Sequence, residues 1–304
     1  MADEAAAGDG NIPVLFVSGS NLPEAWEKAI VATWERGASV RTEYDRVEKD
    51  GSFIDPPSRD ATVVIEVCDP FAEPRIHKNL PGGPEELEVY RQEVVHGIHD
   101  HWVDPCDHDK WTYTYHERIF GYQATTDLDD PNATTLPSVD QIEYAINKCA
   151  GTHYSRRAQA ITWIPNADPR TEDPPCLQRL WFRILIDNAG RRVLNLNTHW
   201  RSRDWYKAWF MNAFALTDLQ RIVAAKISEA VGEEVRVGRY VDISDSFHIY
   251  GSYFDEFRPE FEKMKAQPDY TTRAWPSDHP AVQMMFEETR RKLADDRDYM
   301  RKPT

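Results

Sequence analysis

A chain of 304 residues is long enough to bury a sizeable core, as one large domain or two small ones. With 41% hydrophobic residues, 29% charged residues and 10 tryptophans, it has the make-up of a folded globular protein. Its 51 acids against 36 bases give a formal net charge of -15, which argues against binding nucleic acid by charge alone but leaves room for a few converging arginines to hold one small anion.

In chain order, residues 22–37 carry apolar positions at helical spacing and predict an amphipathic helix closed by Gly37. Residues 46–60 are polar and contain prolines, which predicts a loop. The β-branched run 61–68 predicts a strand. Residues 85–98 predict a helix that opens with acids and ends near Gly97. A loop rich in His and Asp follows to residue 110, and the aromatic segment 111–122 fits either a strand or a helix. Residues 138–148 predict a helix with Ser138 as N-cap. Runs 158–164, 178–186 and 191–200 predict strands, with a proline-rich loop over 165–175 just before Cys176. Residues 205–231 predict one long helix, 234–243 a strand ending shortly before His248 and Tyr250, and the tail after Phe254 charged helical pieces. The elements interleave without a steady βαβ rhythm, which predicts an α+β fold. The expected divisions are an N-terminal extension over 1–57 with one helix, a catalytic domain over 58–260 and a charged tail over 261–304.

No run approaches the roughly 18 apolar residues of a membrane span. Residues 1–10 lack the basic start and apolar stretch of a signal peptide. Cys68, Cys106, Cys149 and Cys176 form neither a CxxC pair nor a dense disulfide framework. A reduced, cytoplasmic protein is expected.

Few residues stand out for their chemistry. Cys176 follows two prolines at the mouth of a strand, a place for an exposed nucleophile, although most such cysteines are inert core residues. Arg156 and Arg157 are adjacent, so on a regular strand they point to opposite faces. Both can meet one ligand only at a bend or a subunit boundary. Arg201 and Ser202 lie between a strand and a helix start, a natural phosphate cradle. His96, His99, His101, Cys106, Asp107 and His108 are metal-ligating types, but their spacing matches no recognised zinc pattern, and no metal is expected. There is no GxSxG, HExxH, GxGxxG or glycine-rich phosphate loop.

Taken in order, Tyr154-Ser155-Arg156-Arg157, Pro175-Cys176, Trp200-Arg201-Ser202-Arg203-Asp204, Asn212 and His248-Ile249-Tyr250 resemble the thymidylate synthase superfamily, which reads SRR, PC, RSxD, Asn or Asp, and HxY. The resemblance covers residues 62–254. Val89-Tyr90-Arg91-Gln92-Glu93 is similar to the helix carrying the catalytic Glu of the phage deoxycytidylate hydroxymethylases, and Tyr115 falls where the family has its proton-handling Tyr.

This resemblance implies a central mixed sheet flanked by helices and a homodimer formed through the sheet. It makes Cys176 the nucleophile that adds to C6 of a pyrimidine nucleoside monophosphate, with Arg201 beside the thiolate and on the phosphate. Ser202 binds phosphate, and Arg156 and Arg157 reach the phosphate in the neighbouring active site. His248 and Tyr250 hold the sugar 3′-hydroxyl, and Asn212 reads the base. The one-carbon donor is 5,10-methylenetetrahydrofolate, with Glu93 handling water and protons, Asp204 bonding the pterin and Tyr115 helping to remove the C5 proton. A further Arg, Arg41 or Arg59, is expected on the phosphate.

Three departures from the methylating synthases stand out. Leu177 takes the place of the His that follows their nucleophile. The chain ends Arg301-Lys302-Pro303-Thr304 instead of in an apolar tail. The aromatics near Phe120 do not reproduce the tryptophan pattern near folate. Together they favour a 5-hydroxymethyl product over a methyl one. Asn212 favours uracil over cytosine by hydrogen-bond complementarity, although an amide can flip to serve cytosine. The alternatives are a thymidylate synthase making dTMP and a silent nucleotide- or RNA-binding relative.

Overall fold

The structure is a computed structural model that describes residues 10–104, 110–124 and 136–295. Its strands are β1 Val14–Gly19, β2 Ala38–Val40, β3 Ser58–Val67, β4 Ile76–His77, β5 Gln159–Ile161, β6 Leu177–Ile186, β7 Arg192–Trp200, β8 Arg203–Asp204, β9 Val235–Ile249 and β10 Ala274–Trp275. The helices are α1 Leu22–Arg36, α2 Gly83–His96, α3 Tyr115–Phe120, α4 Gln141–Gly151, α5 Phe210–Val231, α6 Phe254–Ala266 and α7 Pro280–Asp295. These elements gather into two units interleaved in sequence. The first takes the described residues of 1–81, 200–210 and 241–277, and the second those of 82–199, 211–240 and 278–304.

In the first unit, β3 alternates, with Ala61, Val63, Ile65 and Val67 fully buried and polar or half-exposed residues between them. β1 pairs with it in parallel, Val14 opposite Thr62, and β2 pairs antiparallel. The C-terminal part of β9 joins β3 through Thr62 Oγ1, which donates to the Asp245 carbonyl at 2.8 Å, and Ser246 Oγ, which donates to Asp60 Oδ2 at 2.9 Å. Helix α1 covers β1 and β3 with Leu22, Ala25, Trp26, Ala29 and Ile30, all fully buried. Gly37 ends α1 by close approach rather than by an unusual φ, since a Cβ there would stand 2.5 Å from the Thr33 carbonyl oxygen. Trp26 stacks on Trp205 with ring centroids 5.9 Å apart, and Phe261 meets Trp205 edge-on at 5.1 Å.

The long helix expected from Trp205 starts differently. Trp205–Trp209 is a wide π turn, and α5 begins at Phe210. The buried Trp26 Nε1–H donates to the Trp205 carbonyl at 2.8 Å, which draws that carbonyl out of the regular helical ladder.

The second unit carries the N-terminal part of β9, then β7, β6 and β5 in that order, with β5 antiparallel to β6. Leu180, Phe182, Ile184, Leu194 and Leu196 form its core with Phe214, Leu219, Val223 and Ile227 of α5. The buried Gln220 amide donates to the Leu194, Gly238 and Arg239 carbonyls and ties α5 to β7 and β9. Parallel and antiparallel pairs with helical cover make this the expected α+β fold with a mixed sheet.

Two further boundaries differ from expectation. The N-cap of α4 is Asp140, whose Oδ1 accepts the Ile142 and Glu143 N–H groups at 2.9 and 2.8 Å, a better anchor than the Ser138 hydroxyl. Strand β9 continues to Ile249 because its polar residues are satisfied internally, with buried Asp242 taking Arg203 and the Ser244 hydroxyl. Among the described residues, no helix is long and apolar enough to cross a membrane.

Candidate active site

In the second unit, Cys176 stands half-exposed one residue before β6. The chain is pinned on both sides of it. The Gln178 side chain donates to the Pro175 carbonyl at 2.8 Å, and the Leu177 N–H donates to Tyr115 Oη at 3.3 Å. The Leu177 carbonyl accepts the Thr162 hydroxyl, and the Leu177 side chain is fully buried.

Tyr115 opens α3, which Thr114 caps by accepting the Glu117 N–H at 3.0 Å. Arg118 fastens that helix to the connection between β5 and β6 through a buried pair with Asp168, 2.9 Å. Tyr113, not singled out from the sequence, packs 5.7 Å from the Tyr115 ring. Burial holds its hydroxyl far above the usual phenol range, and nearby Tyr115, Cys176 and Asp173 add to the effect. It is therefore neutral beside Cys176. The period-2 run Trp111-Thr112-Tyr113-Thr114-Tyr115 is the one sequence signal for it.

Helix α2 carries two site residues one turn apart. Tyr90 Oη donates to Asn212 Oδ1 at 2.5 Å, and Asn212 is 6% exposed in the first turn of α5. One turn on, Glu93 Oε2 meets His99 Nδ1 at 2.9 Å. The His99 ring stacks on Trp102 at 3.8 Å and meets the edge of Trp111 at 5.5 Å, with its Nε2 buried and without a partner among the described residues. Between them Gly97 adopts φ 63°, a left-handed cap that turns the chain back so that His99 can face Glu93. His99 thus holds one of the two carboxylate oxygens of Glu93, Oε2.

Of the loop residues considered for metal, His96 ends α2, His99 is committed to Glu93 and His101 is exposed, while Cys106, Asp107 and His108 lie outside the described residues. Among the described residues, no three His, Cys, Asp or Glu side chains are arranged to hold a metal.

In the first unit, parallel pairing of β8 with β9 sets Arg203 opposite Phe247 and Asp204 opposite His248, with Arg201 and Ser202 in the turn just before. Arg203 is buried, paired with Asp242 and laid over the Trp200 ring at 3.4 Å, so it anchors this turn. Asp204 caps the π turn, Oδ1 accepting the Tyr206 and Lys207 N–H groups at 2.8 and 3.1 Å, while Oδ2 accepts the Tyr253 hydroxyl at 3.3 Å.

His248 is 5% exposed, and its ring lies 4.6 Å from that of Tyr250. Ser246 gives its hydroxyl proton to Asp60, so at 3.3 Å its oxygen accepts from His248 Nδ1–H, and His248 Nε2 is left as a buried acceptor. Burial holds His248 below the ordinary histidine range against the pull of Asp204 and Asp60, and it raises the Asp60 carboxyl. The imidazole is neutral at neutral pH.

Arg156 and Arg157 sit in the turn before β5 with exposed side chains. Trp181 Nε1–H fixes the turn through the Arg156 carbonyl at 3.0 Å, and Arg183 does so through the Tyr154 carbonyl at 2.9 Å. Of the two N-terminal candidates, Arg41 is committed to Asp45 and the Asp55 carbonyl, at 3.1 and 2.7 Å, whereas Arg59 makes one long bond to the Gly37 carbonyl.

Residues 83–290 match the family model described as thymidylate synthase. A candidate thymidylate synthase of Methanosarcina mazei is 28% identical over 242 residues, 79% of this chain and 91% of that one. One from Methanosarcina barkeri is 30% identical over 230 residues, covering 75% and 89%. One from Methanocaldococcus jannaschii is 27% identical over 256 residues, covering 81% and 97%. Thermostable thymidylate synthase A from Bacillus subtilis shares the fold at a TM-score of 0.53 and 18% identity, over 80% of this chain and 84% of that one. The chain belongs to the thymidylate synthase family, one-carbon transferases that use methylenetetrahydrofolate on a pyrimidine nucleoside monophosphate.

Proposed function

We propose that the protein is a pyrimidine nucleoside 5′-monophosphate 5-hydroxymethylase that favours dUMP over dCMP or CMP. The observation that carries this reading is position 177. A buried leucine follows Cys176 where the methylating enzymes keep a histidine, so this chain lacks the imidazole they carry at that place.

In this reading the Cys176 thiolate adds to C6, breaking the ring conjugation and making C5 a carbon nucleophile. Methylenetetrahydrofolate, the cosubstrate, supplies the one-carbon unit to C5. Tyr115 helps move the C5 proton, with Tyr113 neutral beside it. Loss of that proton and departure of tetrahydrofolate leave an exocyclic methylene on C5. Glu93, with Oε2 held by His99, takes a proton from water at Oε1 as the water oxygen bonds to that methylene. The electron pair returns through C5, C5=C6 re-forms and the Cys176 sulfur leaves.

Asn212 meets the base. Arg201 and Ser202 take the phosphate, joined by Arg59 and by Arg156 and Arg157 of the second copy in a homodimer. His248, through its Nε2 acceptor, and Tyr250 take the sugar 3′-hydroxyl. The residues fit a folate in that Asp204 keeps Oδ2 as an acceptor for the amino-substituted edge of a pterin, with the Tyr253 hydroxyl beside it.

A dTMP-forming thymidylate synthase is the second reading, favoured by the names of the methanogen relatives. Mass spectrometry of products from dUMP, dCMP, UMP and CMP with methylenetetrahydrofolate separates the two. A gain of one CH2O unit is expected, largest with dUMP. A gain of CH2 with dihydrofolate overturns the proposal in favour of the synthase, and no product from any nucleotide overturns it in favour of a binding-only relative.

A further inference from the structure

An amide side chain can read either pyrimidine. With its nitrogen toward the C4 substituent and its oxygen toward N3, it matches uracil, and turned over it matches cytosine. An asparagine therefore discriminates only if something fixes which end is which. In this protein the Tyr90 hydroxyl reaches Asn212 Oδ1 at 2.5 Å, a separation that belongs to O–H···O bonds rather than to N–H···O bonds. The phenol is held in place to do so. Arg91, the next residue on α2, bonds Asp218 of α5 at 3.1 Å, nearly two turns beyond Asn212. Arg91 also pairs with Glu88, a fully buried carboxylate that takes Gln92 at 2.8 Å and Arg290 of α7 at 3.3 Å. This ion-pair chain locks the register of α2 against α5, and with it the meeting of Tyr90 and Asn212.

We infer that Tyr90 is the specificity-determining residue of the site, acting through Asn212: its hydroxyl pins the amide oxygen, fixes the amide in one of its two orientations and thereby sets which pyrimidine is accepted. Turning the amide over would set its N–H2 against the phenol oxygen, so the short O–H···O bond would give way to a longer N–H···O bond that the phenol must accept, and the tyrosine proton would have to turn away from Asn212, which is 6% exposed. The inference rests on the reading that Asn212 meets the base, and it holds whichever base the protein prefers.

The test is the ratio of dissociation constants for dUMP and dCMP, measured calorimetrically on the full chain, so that it does not depend on which product the enzyme makes. Y90F keeps the ring and removes only the hydroxyl. It should move the wild-type ratio roughly tenfold toward unity while the tighter-bound nucleotide loses little affinity. Asn212→Asp should shift the ratio toward dCMP. An aspartate has two like oxygens and no orientation to lock, so the double variant Y90F/N212D should match N212D within about twofold, a non-additivity that a merely structural tyrosine would not produce.

A ratio unchanged in Y90F but shifted in N212D overturns the role of Tyr90 and leaves that of Asn212. A ratio unchanged in N212D overturns the reading on which the inference rests. Additive effects, or a wild type that does not discriminate, overturn the lock itself.

Discussion

Cys149 and Cys176 have the same side chain and opposite prospects. Cys149 is fully buried in α4, where burial pushes its thiol up to about 11, so it stays protonated and inert at neutral pH. Cys176 is half-exposed at the mouth of β6 on a backbone clamped from both sides. Cys176→Ala should abolish turnover yet still bind nucleotide by calorimetry, and normal turnover in that variant would end the covalent mechanism. His99 is the second residue to test. His99→Phe should lower kcat by roughly 10- to 100-fold with nucleotide affinity unchanged. His99→Asn, which keeps a donor near the Nδ1 position, should recover much of the loss. Equal loss in both variants would mean that His99 only fills space. The ordered motifs single out Cys176, Asn212, Arg201 and His248 in the sequence. The contacts of Tyr90, His99 and Tyr113 are not legible there, because each meets its neighbour only in the fold and no spacing along the chain encodes that contact.

At the scale of elements, α1, β3, α2, β6 and β7 follow from their periodicity, since each buries one clean face. Three elements did not. β1 keeps Val14 and Phe16 largely exposed, so its apolar residues do not mark one buried face. β9 is legible only to Ile243, and its continuation reads as polar because its hydroxyls are satisfied by acceptors that the fold supplies, Ser244 by Asp242 and Ser246 by Asp60. The π turn depends on an indole 179 residues away.

The segment β4 to β10 shows how such distant partners hold an element. Arg273 forks onto Glu27 with bonds of 2.7 and 2.6 Å, and His77 adds a third at 2.8 Å, with all three side chains nearly or fully buried. Burial raises the Glu27 carboxyl, but Arg273 and His77 outweigh it and hold it below its ordinary range. Arg273→Met should therefore cost about 3–5 kcal/mol in urea unfolding, because it strands a buried carboxylate. A loss below about 1 kcal/mol would show the pair to be dispensable. Burial also holds His77 and His248 below the ordinary 6.5. In the window between their lowered folded values and 6.5, the unfolded chain binds more protons, so stability is full above 6.5 and falls on acidification. Tm should drop from about pH 7.5 to 5.5, and His77→Gln should flatten the slope. A Tm that rises over that range would contradict the assignment.

For the whole molecule, exposed Arg156 and Arg157 matter most, because in the proposed homodimer they complete the partner's phosphate site. Cys176→Ala and the double variant Arg156→Ala/Arg157→Ala should each be inactive alone. When the two are mixed and allowed to exchange subunits, half of the dimers should be mixed, each with one intact site of two, restoring about a quarter of wild-type activity. No recovery in dimers shown to exchange would place both arginines in their own subunit's site.

In the proposed reaction water is the final acceptor of the one-carbon unit. The most direct test of this is turnover of dUMP with methylenetetrahydrofolate in water enriched in heavy oxygen, followed by mass spectrometry of the nucleotide. The expected product gains one CH2O unit whose oxygen carries the heavy label. A product that gains only CH2, with no label and with dihydrofolate released, would contradict it.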